Sequence, residues 1–200
     1  NYGFMLWGNH NHNFRQLVVG WSEDSDIAGI SYKNRGWNSP HLIGYMESHD
    51  EERLMLSIKQ WGNTKNKWYN IKGLDESIKR IAGASAIFYS IPGTKMLWQF
   101  GELGYDYSID FNGRTGEKPI RWDYQNHWMR RHLYDVTASL IKLRQEYEVF
   151  RTSDFTISSG TGLIKKVILR GSDIQVPSEW VSSLSYFTKF HKEAQRFTKF

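Results

Sequence analysis

The sequence predicts an α/β chain in which strands and helices alternate around a parallel sheet, with a small antiparallel sheet after it. Three observations carry this. Residues 42–148 read strand, helix, strand, helix, the alternation that builds parallel sheets with covering helices. The two longer helical stretches repeat their apolar residues every three or four positions. Near Arg151 the alternation gives way to short β-type runs joined by a glycine turn.

Residues 1–40 read as loop-rich, full of Gly, Asn, Ser and aromatics, with one short apolar run at Leu17–Val19. Leu42–Met46 is a strand candidate that ends in the polar cluster Glu47, Ser48, His49, Asp50. A short helix from Glu51 towards Gln60 would put Leu54 and Ile58 on one face, and residues 62–73 connect it onward. Leu74, Ile78, Ile81, Ser85 and Phe88 then mark a helix with Asp75 and Glu76 in its first turn, where the helix dipole favours acids, and with Pro92-Gly93 closing it. Thr94–Phe100 reads as a buried strand, and 101–125 as a long polar and aromatic loop. Met129, Leu133, Val136, Leu140, Leu143 and Tyr147 mark a second helix over 126–148. Phe155–Ser158 and Leu163–Leu169 are strands around Gly160-Thr161-Gly162, with a third starting at Asp173–Val176. The expected organisation is 1–150, 151–176, and an atypical tail 177–200 in which FTKF occurs twice. That tail is expected to be poorly ordered or foreign to the fold it follows.

Composition narrows the function. The chain has 200 residues, 40% of them hydrophobic, which suits a globular core. Aromatic residues reach 16%, with nine Trp. They either fill a large core or build surfaces that stack flat ligands such as sugar rings or bases. The net charge is +5, but Lys and Arg are dispersed until Lys189–Lys199, so no nucleic-acid partner is expected. There is no cysteine, hence no disulfide or thiolate chemistry. No apolar run approaches the roughly 20 residues of a spanning helix, so no membrane partner is expected. The chain starts at Asn1, so the lack of a signal peptide says nothing of a longer parent.

The segment with the most chemistry is YMESHDEER, residues 45–53. It sets Glu47, His49, Asp50, Glu51 and Glu52 at the C-terminal end of a predicted strand, where (β/α) barrels build active sites. Asp50 can hold sugar hydroxyls or oppose an oxocarbenium-like charge, and His49 can donate to a hydroxyl. The alternative is a solvated helix start, with Asp50 as N-cap and Glu51 and Glu52 in the first turn. His10 and His12 could share one face of a strand, but no third ligand stands near them, so no metal is assigned. Trp7, Trp21, Trp37, Trp61 and Trp68 could stack sugars or pack.

Residues 45–55, YMESHDEERLM, resemble the fourth conserved region of the α-amylase family, family 13 of the glycoside hydrolases. In order after it, IPGTKMLWQFGELGYD (91–106) resembles the family's eighth barrel strand and its glycine-rich turn. NGRTGEKPIRWDY (112–124) resembles the following basic Pro-Trp-Asp loop, and NYGFMLWGNHNHNF at the start looks like the sixth βα unit. The resemblance covers residues 1–176. It implies a partial (β/α)8 TIM barrel, its last two to three units, followed by the start of an antiparallel β-domain. It gives Asp50 the role of transition-state stabiliser and His49 that of its partner on the substrate. Trp122 falls in the loop after the eighth strand, near the mouth of the site. The implied substrate is an α-glucan such as starch, glycogen or maltodextrin.

The family's nucleophile and acid/base belong to the fourth and fifth strands, and neither region appears in these residues. A retaining glycosidase needs both, so hydrolysis by these 200 residues alone is not expected. Strands lacking neighbours expose unpaired edges, so marginal stability or association is expected too. A glucan-binding remnant without chemistry, or a parent that is a transglycosylase or branching enzyme, fits the same motifs. The resemblance allows Ca2+ in a longer parent without assigning ligands here. Nothing in the residues fixes a compartment, and starch-degrading relatives point to a secreted or extracytoplasmic parent.

Overall fold

A computed structural model describes residues 3–162 and 164–171. Three short strands, β1 (Leu6–Asn9), β2 (Leu42–Tyr45) and β3 (Thr94–Met96), form one parallel sheet in the order β1-β2-β3. Register runs from Leu6 opposite Leu42 to Asn9 opposite Tyr45, and from Ile43 opposite Thr94 to Tyr45 opposite Met96. Helix α1 (Asn11–Val19) follows β1, α2 (Leu54–Trp61) and α3 (Leu74–Ser90) follow β2, and α4 (Trp128–Glu146) comes after β3. β4 (Phe155–Ser158) and β5 (Lys166–Leu169) pair antiparallel in a second, two-stranded sheet. The expected third strand at Asp173–Val176 and the tail 177–200 lie outside the described residues, as does Leu163.

The core lies between the parallel sheet and the helices. Phe14 and Val18 of α1, Leu54, Met55 and Ile58 of α2, and Ile78, Ile81 and Phe88 of α3 close on one another with Leu133 of α4. Phe14 and Phe88 meet edge to face, with ring centres 5.8 Å apart. Ile157 and Val167 of the β4–β5 pair pack on the rim of this core.

Several elements differ from the sequence reading: α2 begins at Leu54 rather than Glu51, and β5 spans only Lys166–Leu169. Residues 1–40, loop-rich by composition, contain a whole βα unit, β1 and α1, of the kind the family resemblance at residues 1–14 implies. Helix α1 has nine residues, buries Asn11, Phe14, Val18 and Val19, and ends at Gly20 in a left-handed turn. The strand expected over Thr94–Phe100 stops at Met96, because β2 ends at Tyr45 and offers no pairing partner beyond that register. The chain then folds into a 3-10 turn over Gly101–Leu103, entered through Phe100 with φ 57°.

The loop after β3 is pinned by a buried ion cluster. Asp106 receives hydrogen bonds from Lys59, from the Tyr124 hydroxyl and, at 2.9 Å, from Arg130. Burial opposes the charge on Asp106, but these donors outweigh it and hold the carboxyl below the usual carboxylate range. Arg130 also donates to the carbonyls of Leu103, at 2.8 Å, and Gly104, and stacks over Tyr124.

Candidate active site

The C-terminal end of β2 delivers the chain into the loop 46–53, and buried polar contacts decide which side chains leave it. Asn11 at the head of α1 donates to the carbonyls of Met46, at 2.8 Å, and Glu52, at 2.9 Å, closing the loop at both ends. Ser48 Oγ accepts from the backbone N–H of Asp50 at 3.1 Å and donates to the Glu51 carboxylate, which Asn9 also binds. Glu52 accepts from Ser108 Oγ at 2.7 Å and from the Ile109 N–H at 3.2 Å. Glu47 turns inward, accepts from the Leu54 N–H at 2.6 Å and lies 4.0 Å from the buried Arg53 guanidinium. With Glu47, Glu51 and Glu52 so engaged, His49 and Asp50 project outward, their side chains 60% and 61% exposed.

The pair is preassembled: His49 Nε2 stands 3.2 Å from Asp50 Oδ2. Two tryptophans flank the imidazole. Trp7 of β1 meets it edge to face at 6.4 Å, and Trp98, just past β3, lies at 5.7 Å with the planes inclined 50°. Each of the three parallel strands, or the turn leaving it, therefore contributes a side chain to one spot. Such a spot offers a carboxylate acceptor, an imidazole donor and apolar ring faces, the combination that binds the hydroxyls and the C–H face of a pyranose.

The alternative of a solvated helix start does not hold. Helix α2 begins at Leu54, behind Arg53, and its first free N–H is met by Glu47 rather than by Asp50. The acids Glu47 and Glu102 are both raised above the usual carboxylate range, chiefly by burial. They line a small cavity with Tyr89, Ser85 and Thr137. Gly101 makes this packing feasible, since a Cβ there would come 2.9 Å from Glu47 Oε2. Glu47 therefore faces inward, away from the exposed Asp50.

The other candidates disperse. Trp122 is 64% exposed and meets Phe100 edge to face at 4.9 Å. It shares an open groove with Trp98, and Trp98 is the residue that reaches His49. Trp37 borders the small cluster of Tyr32, Leu42 and Phe155, while Trp21, Trp61 and Trp68 are exposed. Trp21 Nε1 donates to the Trp61 carbonyl at 3.1 Å. The sequence does not single out Trp98 or the loop-closing role of Asn11. Trp98 sits two residues past the last paired residue of β3, in phase with Met96, and that spacing was the available signal.

His10 and His12 do not share a strand face. His10 precedes α1 and His12 lies within it, so the two are turned roughly 200° apart about the helix. His12 faces Asp24 at 3.3 Å, whereas His10 is buried with Nδ1 2.6 Å from the Asn9 carbonyl. Among the described residues no three or more His, Cys, Asp or Glu side chains gather to hold a metal ion. Among them, too, no helix is long and apolar enough to cross a membrane.

Burial, and then the charge of Arg35, lower the His10 pKa from 6.5 to about 4. Between those values the unfolded chain takes up a proton that the folded chain refuses. The stabilisation is therefore complete above the unfolded value and is lost as pH falls towards 4. A drop from about pH 7.5 to about pH 5 should cost about 2 kcal/mol through this residue. Urea midpoints of the chain and of His10→Gln at both pH values check this, and the variant should lose less.

No protein-family profile matches the chain, and no curated protein matches it. Solved structures do. One is the cyclic alpha-maltosyl-(1→6)-maltose hydrolase of Arthrobacter globiformis in complex with cyclic alpha-maltosyl-(1→6)-maltose, at 17% identity over 74% of this chain and 31% of that one, with a TM-score of 0.47. Another is a cyclomaltodextrinase, at 19% identity over 75% of this chain and 24% of that one, with a TM-score of 0.48. The chain thus spans under a third of the length of either.

Proposed function

We propose that this chain carries the hydroxyl-gripping part of an α-glucan site and belongs to a retaining enzyme of the α-amylase type. The observation that carries the reading is the exposed His49–Asp50 pair at the C-terminal end of the central parallel strand, with Trp7 and Trp98 beside the imidazole. Asp50 accepts hydrogen bonds from two hydroxyls of the reacting glucose unit and opposes the charge that develops at its ring. His49 donates to a neighbouring hydroxyl, and Trp122 belongs to the wall of the groove beyond. Residues 1–150 are then the closing units of a (β/α)8 barrel, and 151–176 open a β-domain. The motifs at 45–55, 91–106 and 112–124, in that order, support this assignment.

The nucleophile and the general acid would come from parts of the enzyme outside these residues. In the complete site, the nucleophile's carboxylate would attack the anomeric carbon as the glycosidic bond breaks and the general acid protonates the departing oxygen; water or a second sugar would then displace the resulting glycosyl ester from the enzyme. Starch, glycogen and maltodextrin are the substrate class. Whether water or sugar is the acceptor is read from the product pattern of the full enzyme.

A second reading, glucan binding without chemistry, is favoured for these 200 residues by one observation. Glu47, Glu51 and Glu52 are committed to backbone and hydroxyl donors, which leaves Asp50 without a second working carboxylate in its loop. Release of reducing sugar from soluble starch by the chain and by Asp50→Asn tests this. No release from either is expected. Release that disappears in the variant would mean that the missing carboxylates are supplied here after all.

A further inference from the structure

We propose that Arg114 is a binding residue of the same site, a guanidinium held over Asp50 that donates hydrogen bonds to the hydroxyls of a sugar gripped by the Asp50 carboxylate. The proposal rests on the glucan reading of the His49–Asp50 pair. Arg114 Nη2 donates to the Asp50 carbonyl at 2.7 Å and stands 3.9 Å from Asp50 Oδ1. One N–H of five is thereby used, and the rest of the fork remains beside an exposed carboxylate.

An exposed ion pair of this kind contributes little by itself. What distinguishes this one is how its loop is built. Lys118 folds back and donates from Nζ to the carbonyls of Phe111 at 2.9 Å, Gly113 at 2.7 Å and Gly116 at 2.8 Å, tying the turn that presents Arg114. Asn112 and Gly113 sit at φ 56° and 76°, so the turn is sharp and specific. Its base is fastened to the site loop by Ser108 and Ile109, which both donate to Glu52. The segment 108–118 thus meets the loop 46–53 at two separate places, at Glu52 and at Asp50. An arginine spends no further ordering entropy when it is already positioned, so its free donors act on a ligand at little extra cost. A neutral polyol beside a lone carboxylate supplies hydroxyls that both donate and accept. Asp50 accepts the hydroxyl hydrogen bonds, and Arg114 supplies donors for the lone pairs that remain.

Binding of maltoheptaose by isothermal titration calorimetry tests this on the whole chain. Arg114→Ala is expected to weaken binding roughly tenfold, with Arg114→Lys recovering part of it because the charge returns without the fork. Lys118→Ala should also weaken binding by releasing the turn, and the double variant should be scarcely worse than the weaker single, since both act through one guanidinium. Thermal midpoints of the Arg114 variants should stay within about 1 °C of the parent, as expected for an exposed pair. If the parent binds, Asp50→Asn weakens it, and Arg114→Ala binds equally well or tighter, the proposal is wrong and the glucan reading stands. If the parent does not bind maltoheptaose, the glucan reading falls and takes the proposal with it.

Discussion

Asp106→Ala should remove about 3–5 kcal/mol of stability, enough to abolish a cooperative unfolding transition in a chain of ordinary marginal stability. The carboxylate joins three donors from three places: Lys59 on α2, Tyr124 in the loop after β3, and Arg130 on α4. Arg130 is buried and would be left with the carbonyls of Leu103 and Gly104 and the face of Tyr124, without an anionic partner. An unpaired buried guanidinium costs far more than the pair contributes. Asp106→Asn keeps an acceptor but loses the charge, so it should fall between the two. Because Asp106 is held below the usual carboxylate range, the stabilisation is present above the unfolded carboxylate's pKa and drains away as pH falls through the folded value. Urea midpoints for the three proteins check the order.

Glu47→Ala should have an effect of the same size, about 3–5 kcal/mol, and should also reach the site. Glu47 meets the first N–H of α2 and faces the buried Arg53, so its loss strands a backbone donor and a cation together. The loop that presents His49 and Asp50 is strung between Glu47 and that helix start. Glu47→Gln is a sharper probe. Burial already raises the Glu47 carboxyl, so a neutral amide of the same shape should be tolerated far better than the truncation. Equal losses from Ala and Gln would place the requirement on charge instead.

How much of this was legible in the sequence differs from element to element. Helices α3 and α4 were read directly, because Leu74–Phe88 and Met129–Tyr147 repeat at three and four and carry long apolar side chains. Composition hides helix α1 among Asn and His residues, and only the resemblance at residues 1–14 implies a βα unit there; Phe14, Val18 and the left-handed Gly20 are its local marks. A nine-residue helix takes its stability from packing rather than propensity, and packing is not visible in a composition. Strand β3 was drawn too long because Leu97, Trp98 and Phe100 are apolar. Pairing ends where β2 ends, a long-range fact that no local pattern holds.

At the site, the strand-end cluster alone leaves a helix start open and the family resemblance singles out His49 and Asp50, which emerge side by side. Their surroundings could not be named. Asn11 and Arg114 act on the loop from 35 to 64 residues away in sequence, through single hydrogen bonds. The acids around Asp50 looked alike in sequence and have different fates, Glu47 inward, Glu51 and Glu52 tied to neighbours. Those fates depend on which donors the fold brings against each of them.

The most direct measurement is the mobility of the native chain in a gel with and without embedded amylopectin, alongside Asp50→Ala. If Asp50 and His49 grip a glucan, the chain should be retarded by amylopectin and the variant should run closer to its glucan-free position. A chain that migrates identically in both gels, or a variant retarded as strongly as the parent, would contradict a glucan site at this pair.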